Sequence, residues 1–143
     1  MTAMSKTERE AFLADVHVGV VGISNPGRGP LTVPVWYWYE PGGDLWFETQ
    51  PDSRKGSLLQ IGTRISLCAQ NESPPYAYVS VEGPIVEIAE DDPVLHELPM
   101  AVRYLGERGG PEYLSQQAAP ASEWKRFILR PERWLTMDGS KDA

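Results

Sequence analysis

The sequence predicts a mainly β fold: a small antiparallel barrel of about six strands with short helices as inserts. Three observations carry this. Thirteen Gly and thirteen Pro punctuate 143 residues into many short elements, which argues against a helical bundle. Residues 64–70 and 124–130 alternate with the two-residue period of a strand, and residues 31–39 divide into two faces in the same way. Turn clusters such as Asn25-Pro26-Gly27-Arg28-Gly29-Pro30 and Pro41-Gly42-Gly43-Asp44 separate these runs.

Taken in order, Ser5-Lys6-Thr7-Glu8 is a capping box and opens a helix over residues 6–13. Residues 16–23 read as a buried strand. In residues 31–39, Leu31, Val33, Val35, Tyr37 and Tyr39 share one face, with Thr32, Pro34, Trp36 and Trp38 on the other. Pro34 cannot donate to a ladder, so this strand is an edge or is bulged there. The turn at 41–44 closes a hairpin onto a strand over residues 45–49, and a short helix near residues 53–60 follows. Residues 76–88 read as one long strand or a bent strand pair, with a bulge expected at Gly83-Pro84. Asp91-Asp92-Pro93 caps a second helix, which Pro99 should break or kink. Gly109-Gly110-Pro111 introduces another short helix. Strands at 124–130 and 134–137 close the chain, and residues 138–143 are expected to fray. We read residues 1–143 as a single domain, with residues 1–14 as its N-terminal helical segment.

Composition removes several classes of function. Twenty acidic against thirteen basic residues give a net charge of -7, unsuited to a general nucleic-acid surface. No run approaches the roughly 18 apolar residues of a membrane helix. The first fifteen residues mix charge with apolar positions and do not read as a secretory leader. Cys68 is the single cysteine, so no internal disulfide forms, and the cytoplasm is the expected compartment. Metal-ligand spacing, Ser-His-Asp order and a dinucleotide glycine fingerprint are absent. His17 in an apolar strand reads as packed, His96 as exposed and Cys68 as inert. Glu40, Asp44, Asp91 and Asp92 read first as turn or cap residues, and Arg28 as a solvated loop charge. No catalytic side chain stands out.

Two features do stand out. After the strand ending at Thr49, a short helix opens with Ser53, Arg54, Lys55 and Gly56. An isolated Arg-Lys pair is ordinarily solvated surface. At a helix N-terminus, however, cations are electrostatically misplaced unless an anion is present. Thr49 and Ser53 add hydroxyls, and Gly56 permits close approach. This group of residues reads as a phosphate cradle. The second feature is Pro34-Val35-Trp36-Tyr37-Trp38-Tyr39, whose alternating aromatics serve either as core and dimer-interface packing or as a flat wall beside a planar heteroaromatic ring.

Val33-Pro34-Val35-Trp36, Phe47-Glu48-Thr49, Asp52-Ser53-Arg54-Lys55-Gly56 with Leu59, Arg64-Ile65-Ser66-Leu67 and Val79-Ser80-Val81-Glu82-Gly83 follow in this order. This ordered set resembles the pyridoxamine 5′-phosphate oxidase-like, FMN-binding split-barrel family. Arg130-Pro131-Glu132-Arg133-Trp134 resembles its closing region. The resemblance spans residues 16–137. It implies a six-stranded antiparallel split β-barrel, a homodimer, and a flavin-type cofactor in the groove between subunits. It also implies that Arg54 and Lys55 hold the cofactor phosphate, and that Thr49 lies near the phosphate and ribityl chain. The strand Val33, Pro34, Val35, Trp36, Tyr37 and Trp38 would run along the isoalloxazine ring.

Tyr78 stands where the oxidase proper often has Gln, and Ser57 and Leu58 replace polar residues. The chain is shorter than true pyridoxamine phosphate oxidases and shows no Arg and His cluster after Trp134, so vitamin B6 oxidation is not expected. It resembles instead the flavin/deazaflavin-dependent oxidoreductase branch. The implied function is hydride transfer between FMN or coenzyme F420 and a small planar organic substrate. For the anionic tail of F420, Arg28, Arg54, Lys55 and Arg64 are the candidate cations. The alternatives are a non-catalytic flavin- or heme-binding carrier or sensor on the same fold, and a plain dimeric interaction protein.

Overall fold

The longest strand organises the sheet. In the computed structural model, which describes residues 2–117 and 123–142, Ala77–Glu90 form one strand (β6) of 14 residues. Seven others precede or follow it: β1 (Gly19–Ile23), β2 (Leu31–Val35), β3 (Trp38–Tyr39), β4 (Leu45–Thr49), β5 (Arg64–Gln70), β7 (Lys125–Leu129) and β8 (Arg133–Asp138). All pairings are antiparallel. The hydrogen-bonded order is β2-β1-β5-β6-β7-β4-β3, with β8 on β6. β7 and β8 run along one edge of β6, against its C-terminal and N-terminal halves respectively. The two ends of the path, β2 and β3, belong to one run of chain, so the sheet curls back on itself. The result is a mostly-β curled half-barrel with short helices.

Eight strands stand where about six were expected: the seven segments that alternate or read as strands are all present, and residues 31–39 divide into two. The backbone leaves the ladder at Trp36 and Tyr37, and a side chain from a distant helix takes over its polar groups. Tyr37 N donates to the Tyr104 hydroxyl at 3.0 Å, and that hydroxyl lies 2.6 Å from His17 O and 3.2 Å from Tyr37 O. Buried backbone groups must find such partners, and here the partner is 67 residues away. The predicted faces nevertheless hold. Val35, Tyr37 and Tyr39 point into the core with Leu13, Val21, Ile23, Leu45, Phe47, Leu67, Val79, Val81, Phe127 and Leu129. Tyr37 is completely buried, and its hydroxyl donates to Leu13 O at 2.7 Å, which satisfies it.

Gly83 is not the site of the bulge. The register shifts between Ile85 and Glu87. Gly83 serves close approach: an added Cβ would lie 2.9 Å from Arg130 C and nearer still to Arg130 O, where the chain passes from β7 to β8. Strand β1 starts at Gly19, three residues later than expected.

Helix α1 (Lys6–Ala14) carries both halves of its capping box: Glu8 N donates to Ser5 Oγ at 3.2 Å and Ser5 N to Glu8 Oε1 at 2.8 Å. Helix α2 (Arg54–Ser57) is one turn, shorter than expected. Asp92 caps the next segment, accepting from Val94 N and Leu95 N at 2.8 and 2.9 Å. Its first turn is a π-helix, Pro93–Glu97, leading into α3 (Leu98–Ser115). Pro99 falls in the first turn of α3, where its missing N–H breaks nothing. The kink lies instead at Gly106, whose φ of +84° only glycine adopts readily, so the second helical piece begins ahead of Gly109-Gly110-Pro111. The tail expected to fray holds a 3-10 turn, Gly139–Asp142, with Gly139 N bonded to Tyr76 O at 2.8 Å and Lys141 paired to Glu8 at 2.5 Å. Ala143 lies outside the described residues. No helix among the described residues is long and apolar enough to cross a membrane.

Candidate functional site

Strand β4 ends in Glu48 and Thr49, and the turn after it is built from its own hydroxyls. Ser53 Oγ donates to Gln50 O at 2.7 Å and accepts from Gly56 N at 3.0 Å, and it lies 3.3 Å from Thr49 Oγ1. Thr49 is buried. These hydroxyls hold the turn. A helix of one turn has little macrodipole to offer, so the anion argument comes to rest on the two cations.

The structure separates those cations. Arg54 is exposed and its Nη2 donates to Oδ1 of the buried Asn25. Lys55 is half-buried and faces a cavity of about 420 Å³. Burial pushes the Lys55 ammonium below the usual lysine range, and no carboxylate pairs with it among the described residues. One wall of the cavity is Pro34, Val35 and Trp36. The opposite wall comes from α3, with Met100, Ala101, Tyr113 and Leu114, and Val18 and Trp124 close the sides. Trp36 stacks on Tyr104 at 5.0 Å, nearly parallel, and meets Tyr113 at 5.1 Å.

Of the residues singled out by sequence, Pro34, Val35, Trp36 and Lys55 therefore meet at one cavity. The remaining six do not line it. Val33 packs against the core and Tyr37 is inside it. Trp38 stacks on Trp46 at 6.0 Å beneath the Arg103 guanidinium. Thr49, Ser53 and Arg54 stand behind Lys55. Tyr78 pairs with Gln70 and Met137 in the ladder, away from the cavity. His17 stacks on Phe12 at 4.4 Å, and Arg28 is an exposed loop residue. Arg64 is held by Glu82 and Glu132, each at 2.8 Å. Burial pushes the Cys68 thiol up, away from thiolate chemistry.

Sequence reasoning missed an acidic group on the same cavity. Glu48 and Glu97 line it, and behind Glu48 sits Asp91, whose side chain has no exposed surface. Glu48 Oε2, both Asp91 oxygens, Glu97 Oε2 and Trp124 Nε1 are sealed from solvent without a hydrogen-bond partner. Burial, and next the neighbouring Asp91, push the Glu48 carboxyl up to about 9. Burial likewise raises Asp91 and Glu97. One signal was present in the sequence. Period-two alternation places Glu48 opposite the inward Phe47 and Thr49, on the face that α3 later covers. Asp91, read as a cap, leaves that task to Asp92. No group of three or more metal-ligating side chains occurs among the described residues.

The cavity has features that fit a phosphate-bearing planar group: apolar and aromatic lining residues, a half-buried cation without a carboxylate ion pair, and an orphaned indole N–H on Trp124. Comparison with known proteins agrees at the level of fold. Residues 5–138 match the family described as pyridoxamine 5′-phosphate oxidase. No curated protein matches. Among solved structures, an F420 reductase superposes with a TM-score of 0.72 at 20% identity, over 88% of this chain and 94% of that chain. A conserved hypothetical protein from Mycobacterium tuberculosis gives 0.72 at 22%, over 96% and 87%. An FAD- and heme-binding protein from Mycobacterium smegmatis gives 0.65 at 14%, over 96% and 72%. The match over nearly the whole chain and the curled half-barrel place this chain in the pyridoxamine 5′-phosphate oxidase-like split-barrel family, a fold associated with flavin and deazaflavin cofactors.

Proposed function

We propose that the protein is a flavin- or deazaflavin-dependent oxidoreductase, acting on a small planar organic substrate. The observation that carries this reading is Lys55: a half-buried ammonium without a carboxylate ion pair, facing a cavity of about 420 Å³ that Pro34, Val35 and Trp36 also line. That volume falls within the usual range for small-molecule sites. Lys55 would hold the cofactor phosphate, with the Thr49–Ser53 turn fixing its backbone and Arg54 close behind. Pro34, Val35 and Trp36 would wall the ring system and exclude water. When bound, the cofactor supplies hydride transfer; the protein binds, orients and shields it.

The working unit in this reading is a cytoplasmic homodimer with the cofactor at the subunit interface. Val16, Val18 and Val20, all exposed along β1 and its approach, supply an apolar strip for such a contact. Of the four cations considered for the F420 tail, only Lys55 faces the cavity, while Arg64 is engaged in ion pairs. This reduces the support for F420 relative to FMN.

Titration of the purified protein with FMN and with F420, followed by tryptophan fluorescence, tests the reading directly, since Trp36 and Trp124 line the cavity. Saturable binding of one of them, followed by turnover of its reduced form on a quinone, nitroaromatic or enone panel, is the expected result. Binding without turnover assigns the carrier or sensor role instead. Failure to bind either cofactor refutes the proposal.

A further inference from the structure

The reductase reading leaves one part of the cavity unused, its acidic wall, and the following inference rests on that reading. Glu48 is fixed by its strand. It lies opposite Arg126 in the β4–β7 ladder, between two inward residues. Its carboxyl borders the same cavity as Trp36 and Lys55. Behind it, the Asp91 side chain is fully sealed, and the sealed oxygens of the two acids have no donor. Two neighbouring carboxyl groups in a desolvated space resist ionising together, so the pair holds a proton at rest. The groups that face them are Asp91 ahead of the π-helix, Glu97 at its end, His96 within it (3.7 Å from Asp91), Arg126 on β7 and Lys55 on α2. Arg126 is turned toward the backbone, donating to Glu90 O at 3.0 Å, and makes no ion pair with Glu48.

We propose that Glu48 is the proton donor of this site. With a bound reduced flavin or deazaflavin supplying a hydride, and so two electrons, to one atom of an electron-poor double bond, the Glu48 carboxyl would give its proton to the other atom. The Glu48 O–H bond breaks, a C–H and an X–H bond form on the substrate, and the cofactor is left oxidised. Glu48 then recovers a proton from water as product leaves. The substrate class is accordingly one with a hydrogen-bond acceptor conjugated to the reducible carbon, such as an enone or a quinone. A neutral acid is suited to this task because before transfer it does not oppose the negative charge developing on the substrate, and the proton it gives cancels that charge. Asp91 acts as a positioning residue that keeps the proton on Glu48.

Infrared spectroscopy of the cofactor-free protein provides a readout independent of turnover. Wild type should show a carboxylic-acid carbonyl band at neutral pH that Glu48→Gln lacks and that Asp91→Asn moves to a lower titration point. In the loaded enzyme, Glu48→Gln should bind cofactor as tightly as wild type. It should turn over on the order of 10²-fold more slowly and lose the alkaline fall in rate. Absence of the infrared band overturns the proposal, as does Glu48→Gln turnover within threefold of wild type. So does transfer of the alkaline limb's control to Tyr113, shown by Tyr113→Phe. Failure of wild type to bind FMN or F420 overturns the oxidoreductase reading itself, and is told apart because it precedes any comparison of variants.

Discussion

Gly56 is the position where a single methyl group should damage both the fold and the candidate site. Its added Cβ would lie 2.9 Å from Pro51 Cα and 3.0 Å from Gln50 C, and closer still to Gln50 O. All three are backbone atoms that no rotamer change can move. Carbon atoms prefer a separation of about 3.5–4.0 Å, so α2 must withdraw from the 50–51 turn by well over half an ångström. That displacement works against the bonds that define the turn. Gly56 N to Ser53 Oγ is 3.0 Å, Ser53 Oγ to Gln50 O is 2.7 Å, and Leu59 N to Gly56 O, which seats Leu59 in the core, is 3.1 Å. Overpacking of this kind costs about 1–3 kcal/mol, and losing one or two of these bonds adds about 1 kcal/mol each. We therefore expect Gly56→Ala to lose about 2–5 kcal/mol in urea denaturation of the cofactor-free protein. Cofactor affinity should fall with it, because Lys55 moves with the turn. Helix propensity alone predicts the opposite sign, a gain of up to about 1 kcal/mol for Gly→Ala within a helix. A Gly56→Ala protein as stable as wild type, or more so, would refute the close approach. Gly22→Ala is the control, since nothing lies within 4 Å of its Cβ.

Other outcomes follow from the same geometry. Lys55→Ala should weaken cofactor binding by about 1.5–3 kcal/mol, the worth of a hydrogen bond to a charged group; an unchanged dissociation constant by fluorescence titration would remove Lys55 from the phosphate site. Burial, and next Asp91, push the Glu48 carboxyl from 4.5 up to about 9, so between those values the folded state binds a proton that the unfolded chain releases. Its stabilising contribution is complete below pH 4.5 and declines as pH rises through about 9; the urea midpoint of wild type should therefore fall relative to Glu48→Gln across that window, and parallel midpoints would contradict it. Tyr104→Phe leaves Tyr37 N and His17 O without their hydroxyl partner, at a cost of about 1–3 kcal/mol, with faster hydrogen exchange at the Tyr37 amide as the local signature. Gly83→Ala should cost at least about 1–3 kcal/mol by forcing the β7–β8 connection off β6, which thermal denaturation will show.

The cavity brings a cation and buried acids together. Lys55, which makes no carboxylate ion pair among the described residues, borders the same space as Glu48 and Glu97, whose carboxyls burial raises. The strands fix this arrangement: Glu48 is set by the β4–β7 register and Lys55 by the turn leaving the same strand.

The sequence by itself determined the β class, the N-terminal cap, the inward face of residues 31–39 and the strand-turn-helix that carries Lys55. Each of these depends on neighbours in the chain: a two-residue period, a capping pair, a hydroxyl three residues before the amide it accepts from. Only the tertiary structure decided where the 31–39 strand breaks, because Tyr104 supplies the hydrogen bonds that the ladder gives up. It also decided that Arg54 and Lys55 part company, since a buried Asn25 on a remote loop takes the arginine. And it joined Glu48 to Asp91, two carboxyls 43 positions apart in the sequence, where burial raises both carboxyls and leaves the Asp91 side chain with no exposed surface. Burial and long-range partners depend on which segments meet in three dimensions, and no local pattern in the sequence records them.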